Sequence, residues 1–231
     1  MAMTTSPASS AEELTARVRA RLEALRARMA EWGSDPERVR VVAVTKTFGP
    51  PAVRAAVAAG LTHCGENYVD ELCATRAQTA DLAVTWHYLG ALQTNKVARV
   101  VACADLVASL SRDREVARLA RARPGAPVYV QLDVTGRAER NGAPEAEVPG
   151  LVARARDAGL DVRGLMVVAP PDPAGAQAAF AATVRLADAL GLAERSMGMS
   201  EDLEWACRAG TTEVRLGRAL FGPRGGAGGL A

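Results

Sequence analysis

From residue 10 onward, apolar and polar positions alternate in short blocks of two distinct periods. Leu14, Val18, Leu22, Leu25 and Met29 recur at helical spacing, which predicts a first helix with one face on a core. Ser10 stands where an N-cap belongs, and Glu12 and Glu13 suit the positive end of the helix dipole. Gly33 and Pro36 end the pattern. The run VRVVAVT over 39–45 is continuous, β-branched and apolar, as expected of a strand buried on both faces, and it ends at Lys46. The alternation then repeats. Strands are predicted near 61–65, 84–89, 105–109, 127–133, 161–168, 194–198 and 212–216, and helices near 50–59, 67–79, 94–103, 113–122, 145–158, 173–190 and 201–209. Gly60, Gly159, Gly191 and Gly210 stand where helices would close. Counting the first strand, eight βα units in about 200 residues predict an α/β fold, a single (β/α)8 barrel. A doubly wound open sheet is the competing arrangement. The barrel is expected over 10–222, between a disordered 1–9 and a flexible tail at 223–231. That glycine-rich tail lacks the strand–loop–helix setting of a phosphate loop.

Composition narrows the classes of function. The 231 residues carry 28 basic and 26 acidic side chains, a net charge of +2, which offers no basic face for nucleic acid. No apolar run approaches the roughly 18 residues of a membrane span. The N-terminal segment lacks the basic and apolar regions of a secretory signal, so a cytoplasmic location is expected. Cys64, Cys73, Cys103 and Cys207 form no CxxC pair and are read as free thiols in a reducing compartment. With only His63 and His87 present, a metal site is not expected. Arginine supplies 26 of the 28 basic residues, and the lysines are Lys46 and Lys96 alone. A lysine amine can lose its proton and attack a carbonyl, whereas guanidinium cannot. The alternative is two surface lysines left by chance.

In a barrel, chemistry occupies the C-terminal ends of strands and the loops that follow. Lys46 follows the first strand there, and partial desolvation at the mouth favours the uncharged, nucleophilic amine. Lys96 lies near a helix start and is expected to face solvent. The ends of strands 7 and 8 form the usual phosphate site of this fold. In S-M-G-M-S-E-D (196–202), Ser196 and Ser200 offer hydroxyls, Gly198 permits close backbone approach, and a helix start at Glu201 and Asp202 would present free amides. Capping of that helix by Ser200 is the plainer reading and does not exclude phosphate binding. Gly217 and Arg218 supply a second set of amides. A phosphate at strands 7–8 with a Schiff-base lysine on strand 1 outlines pyridoxal 5′-phosphate (PLP).

The segments A-V-T-K-T, G-E-N-Y, W-H-Y-L-G-A-L-Q-T-N-K, G-L-M, S-M-G-M-S-E-D and V-R-L-G-R-A-L-F-G resemble, in that order, the pyridoxal phosphate homeostasis protein family over residues 41–222. The resemblance implies a fold-type III barrel like the N-terminal domain of alanine racemase. It implies that Lys46 holds PLP as a Schiff base, that Asn67 lies beside the cofactor, and that Arg215 faces the pyridine nitrogen. Ser200, Gly217 and Arg218 would hold the phosphate, the last two through backbone amides, and Ser196 and Met199 complete the cofactor-binding set. It further implies a monomer, with PLP-dependent apoenzymes as possible recipients. Two departures stand out: arginine at 218, where family members often have threonine, and Arg140, near where the family commonly carries a loop lysine.

Two functions remain open at this level. One is a non-catalytic carrier in PLP homeostasis. The other is an amino-acid racemase of the alanine racemase type, which would need a second domain bringing a tyrosine to the opposite face of the substrate. The roughly 15 residues after the eighth strand contain no tyrosine, which favours the carrier. A Schiff-base aldolase, with its lysine late in the barrel, fits less well.

Overall fold

The computed structural model describes residues 7–136 and 140–223. Eight parallel strands form its centre: β1 (Arg40–Val44), β2 (His63–Glu66), β3 (Thr85–Tyr88), β4 (Leu106–Leu110), β5 (Pro127–Asp133), β6 (Asp161–Val167), β7 (Glu194–Ser196) and β8 (Glu213–Leu216). Each pairs with the next in sequence, and β8 pairs back onto β1, so the sheet closes and the open-sheet alternative is excluded. A two-residue ladder at Ala143–Pro144 adds to the C-terminal end of β5. Helices α2 (Pro50–Ala58), α3 (Val69–Gln78), α4 (Val97–Cys103), α5 (Asp113–Ala122), α6 (Val148–Asp157), α7 (Pro173–Ala189) and α8 (Leu203–Arg208) occupy the crossovers, and α9 (Arg218–Phe221) follows β8.

The N-terminal helix α1 (Pro7–Glu31) covers the seam where β8 meets β1. Arg19 Nη2 donates to the Ala58 carbonyl at the end of α2, and Arg21 Nη1 donates to the Leu220 carbonyl in α9. Val18, Leu22, Leu25 and Met29 supply its buried face. This helix begins at Pro7, so Ser10 lies inside its first turn and is not the N-cap expected from the sequence. Proline suits a first helical turn, since its missing N–H has no partner there and its φ is preset. Of the expected disordered segment, residues 1–6 lie outside the described residues and 7–9 are helical. Of the expected tail, 224–231 lie outside them.

Strand alternation sorts side chains into two compartments. Val41, Ala43, Cys64, Trp86, Tyr88, Val107, Leu165, Val214 and Leu216 belong to the large core between barrel and helices. The alternate positions point into the lumen, where Leu106, Ala108, Tyr129 and Met166 form a small separate apolar cluster. On β1 the inward row is Arg40, Val42, Val44 and then Lys46. The same parity aims His63 and Asn67, His87, and Glu213 and Arg215 inward.

One expectation fails. Cys73 on α3 and Cys103 on α4 form a disulfide, with Cα atoms 5.2 Å apart, while Cys64 and Cys207 are buried free thiols. The pairing is tertiary: neighbouring helices on the outside of the barrel bring together residues 30 positions apart. Cysteine usage therefore no longer argues for a reducing compartment. Among the described residues, no helix is long and apolar enough to cross a membrane. Closing such a loop is worth about 3–4 kcal/mol in the chain-entropy picture. Alkylation under denaturing, non-reducing conditions should therefore modify two cysteines, Cys64 and Cys207. Peptide mapping that finds all four labelled would remove the crosslink.

Candidate functional site

A cavity of about 400 Å³ opens at the C-terminal ends of the strands. Lys46, Asn67, Met199, Ser200, Arg215, Gly217 and Arg218 all line it. Lys46 is half-buried, one residue beyond a fully buried Thr45. The Thr45 hydroxyl donates to Glu66 Oε1 at 2.6 Å, which pins the backbone before the lysine. The backbone after it is strained: Thr47 has φ 69°, a left-handed conformation costly for a β-branched residue. A lysine held between a tethered residue and a strained one has its stem direction set by the chain.

Gly217 follows β8 directly, and a Cβ there would sit 3.3 Å from the Val44 carbonyl. The register pairs Val42 with Arg215 and Ala43 with Leu216, so the β1 and β8 ends emerge side by side. Lys46 and the first turn of α9 thus share one rim, and the leading amides of that turn have no intrahelical partners. The loop after β7 joins them. The Ala219 amide donates to Ser200 Oγ at 3.1 Å, and the Met199 amide donates to Asp202 Oδ1 at 2.5 Å. Helix α8 begins at Leu203 with Asp202 at its N-cap, two residues later than expected, so Ser200 does not cap it and instead ties the loop to α9. Gly198, at φ 97°, lets the loop pass, since a Cβ would lie 2.5 Å from that of Ala206. The Arg218 guanidinium pairs with Glu201 at 2.6 Å.

On the other side of Lys46, Asn67 follows β2, which pairs with β1, and packs against Gly90, where a Cβ would lie 1.9 Å from the Asn67 carbonyl oxygen. The glycine of W-H-Y-L-G is thus a spacing requirement. Arg215 is buried: Nη1 donates to the Ser196 carbonyl and to Ser196 Oγ, and Nη2 to the Val167 carbonyl, each at 2.7 Å. Burial pushes this guanidinium below its ordinary range, while Glu213 pulls the other way. Ser196 is wholly buried and does not line the cavity; its hydroxyl is engaged by Arg215 and Glu213. Lys96 stands at the N-cap of α4, outside the cavity lining.

Arg140, noted in the sequence only as a departure from the family pattern, also lines the cavity, and the lining prolines were not singled out from sequence. Arg140 reaches the wall from the loop after β5, and Pro170, Pro171 and Pro173 line the side beneath α7. The proline run after β6 was the available signal for the latter.

Below the cavity the lumen is polar. His63 Nδ1 and His87 Nε2 are 2.9 Å apart, and burial holds both rings below the ordinary imidazole range, His63 at about 4. A proton on either would meet its neighbour and the Arg40 guanidinium. Tyr129 OH donates to Glu194 at 2.5 Å, and Arg40 Nη1 donates to the same oxygen at 2.5 Å.

With this geometry in place, comparison with known proteins is direct. The family model described as "Alanine racemase, N-terminal domain" matches residues 15–225. The pyridoxal phosphate homeostasis protein of Pseudomonas aeruginosa is 41% identical, over 83% of this chain and 87% of that protein. The one from Deinococcus radiodurans is 38% identical, over 87% and 97%. PipY of Synechococcus elongatus PCC7942, solved without PLP, superposes with a TM-score of 0.80 at 33% identity, covering 88% of this chain and 99% of its own. PipY has also been solved with PLP bound, and that structure superposes with a TM-score of 0.76. The barrel is that of the alanine racemase N-terminal domain class. Within that class, the chain belongs to the pyridoxal phosphate homeostasis protein family.

Glu66 yields a prediction independent of any ligand. Its carboxyl is buried, one oxygen has no partner among the described residues, and burial, opposed by the Thr45 hydrogen bond, lifts its pKa from 4.5 to about 7. The folded state then holds a proton that the unfolded chain has released, so rising pH between about 4.5 and 7 favours unfolding. Urea midpoints of the native protein should fall from pH 5 to pH 8. Glu66→Gln should flatten that fall and be about 1–3 kcal/mol more stable than the native protein at pH 8. Parallel curves for the two proteins would contradict the assignment.

Proposed function

We propose that the cavity holds pyridoxal 5′-phosphate as a Schiff base on Lys46 and that the protein is a non-catalytic keeper of this cofactor. The observation that carries the reading is the convergence of an amine, Lys46, with the anion-binding rim of Ser200, Gly217 and Arg218 in one cavity. Its volume of about 400 Å³ suits a small cofactor. The chemistry of the lining fits the group. Lys46 supplies the nucleophile for the aldehyde, and the rim supplies donors for a phosphate. Asn67 and Met199 bound the ring, and Arg215 supplies a cationic donor. PLP serves as a reversible aldehyde and an electron sink when bound. A guanidinium only donates, so a ring nitrogen facing Arg215 stays unprotonated, and a neutral ring is a poor sink. That favours holding the cofactor over turning over amino acids. The names of the relatives and the PLP-bound PipY structure support the same reading. The reading extends to a monomer in the cytoplasm, with PLP-requiring apoenzymes as recipients.

Purified protein loaded with PLP should absorb in the visible range, and borohydride should fix the label on the peptide containing Lys46. Lys46→Ala should lose the band and the label, with at least tenfold weaker binding. A label on Lys96 would overturn the assignment. With single-enantiomer alanine or serine, chiral analysis should show no turnover at enzymatic rates; turnover there would restore the racemase.

A further inference from the structure

The cation in the cavity wall is held by an unusual device. Arg215 has no carboxylate within 4.0 Å among the described residues. Its neighbour is the Ser196 hydroxyl, which accepts from Arg215 Nη1 at 2.7 Å and donates to Glu213 Oε1 at 2.7 Å. The roles are not interchangeable. Guanidinium only donates, so the serine oxygen must accept from it, and its single O–H is then free for Glu213 alone. Glu213 is fully buried; its other oxygen accepts from Arg40 Nη1 at 3.2 Å and lies 3.1 Å from Tyr129 OH, whose one proton has its shorter contact with Glu194. Among the described residues the Ser196 hydroxyl has no second acceptor for its proton, so Glu213 is the receiving end of a relay that starts at the cavity wall, while Glu194 shares the Tyr129 and Arg40 donors at the other oxygen. The remaining groups facing it are His87, with Nδ1 3.9 Å from Oε2, and Glu194 across Tyr129.

The geometry has a purpose that a direct ion pair would not serve. A carboxylate in contact with Arg215 would bind its N–H groups and cancel its charge at short range. A hydroxyl placed between them fixes the guanidinium plane while keeping the negative charge one side chain away. Ser196 and the Val167 carbonyl together occupy three of the five N–H bonds, leaving two for an acceptor in the cavity. We propose that Ser196 and Glu213 are positioning residues for the cofactor: the serine hydroxyl couples the buried Glu213 carboxylate to Arg215, which keeps the guanidinium oriented so that it donates to the PLP ring nitrogen. The inference rests on the reading of the cavity as a PLP site with Arg215 at the ring. It assigns Ser196 to the support of Arg215 rather than to the phosphate, and it gives Glu213, remote from the cavity mouth, a part in cofactor binding.

The test compares native protein with Ser196→Ala, Ser196→Thr and Glu213→Gln, each loaded with PLP labelled with ¹⁵N in its ring. Two readouts are taken: the dissociation constant for PLP and the ¹⁵N resonance of the ring nitrogen. Ser196→Ala and Glu213→Gln should each weaken binding about tenfold, the scale of one charge-assisted hydrogen bond. Both should shift the ring-nitrogen resonance while borohydride still labels Lys46. Ser196→Thr keeps the hydroxyl in a strand that accepts β-branching, and should return both readouts toward native values. A structural role alone would lower the melting temperature without moving the nitrogen resonance. If Glu213→Gln does not fold, the two serine variants decide the matter. Native affinity and native resonance in Ser196→Ala overturn this proposal and leave the PLP site standing. Failure of the native protein to take up PLP overturns the site itself.

Discussion

The pairing of β8 with β1 is the constraint on which the rest of the structure depends. Four register pairs, from Arg40–Glu213 to Ala43–Leu216, close the sheet and bring the first and last strands of the chain into contact. Residues 46 and 217, distant in sequence, then leave the barrel on one rim. Closure also creates the lumen, and the pleat of two decides what enters it. Helix α1 lies over the same seam, so the element that precedes the barrel stabilises the junction that forms last along the chain.

The lumen is divided along its axis. Its upper end is a cavity lined by apolar walls, a lysine and two helix-start loops. Its lower end is filled by Arg40, His63, His87, Tyr129, Glu194 and Glu213, in a place where most barrels stack branched apolar side chains. Such a floor is costly to desolvate unless its donors and acceptors match. Here most of them do: Arg40 reaches Glu194 and Glu213, and Tyr129 joins both carboxylates. The exception is His87 Nδ1, without a hydrogen-bond partner among the described residues. The floor thus connects to the cavity through Glu213, Ser196 and Arg215.

Much of the site was legible in the sequence because a barrel restricts where chemistry can sit. The end of the first strand identified Lys46, and the ends of the last two identified Ser200, Gly217 and Arg218, all of which line the cavity. Other readings needed contacts that the sequence does not contain. Ser196 read as a ligand because it opens a loop motif, yet strand pairing buries it against Glu213. Ser200 read as a cap for the following helix, yet its partner is the Ala219 amide. The four cysteines read as free because spacing along the chain says nothing about which helices lie side by side.

What the sequence by itself determined is the order and type of the elements, since period and punctuation are local properties of the chain. Eight strands, their helices, and the lysine at the first strand end follow from those alone. The tertiary structure decided which strand faces meet, which charges share the lumen, that Cys73 on α3 meets Cys103 on α4, and that a serine, a buried glutamate and an arginine form one relay. The disulfide and the relay link residues 17 to 30 positions apart, and the lumen ion pairs of Arg40 link residues 154 and 173 positions apart. Local propensity carries no information at that range, and only the geometry of a closed, twisted sheet brings such groups within reach of a hydrogen bond.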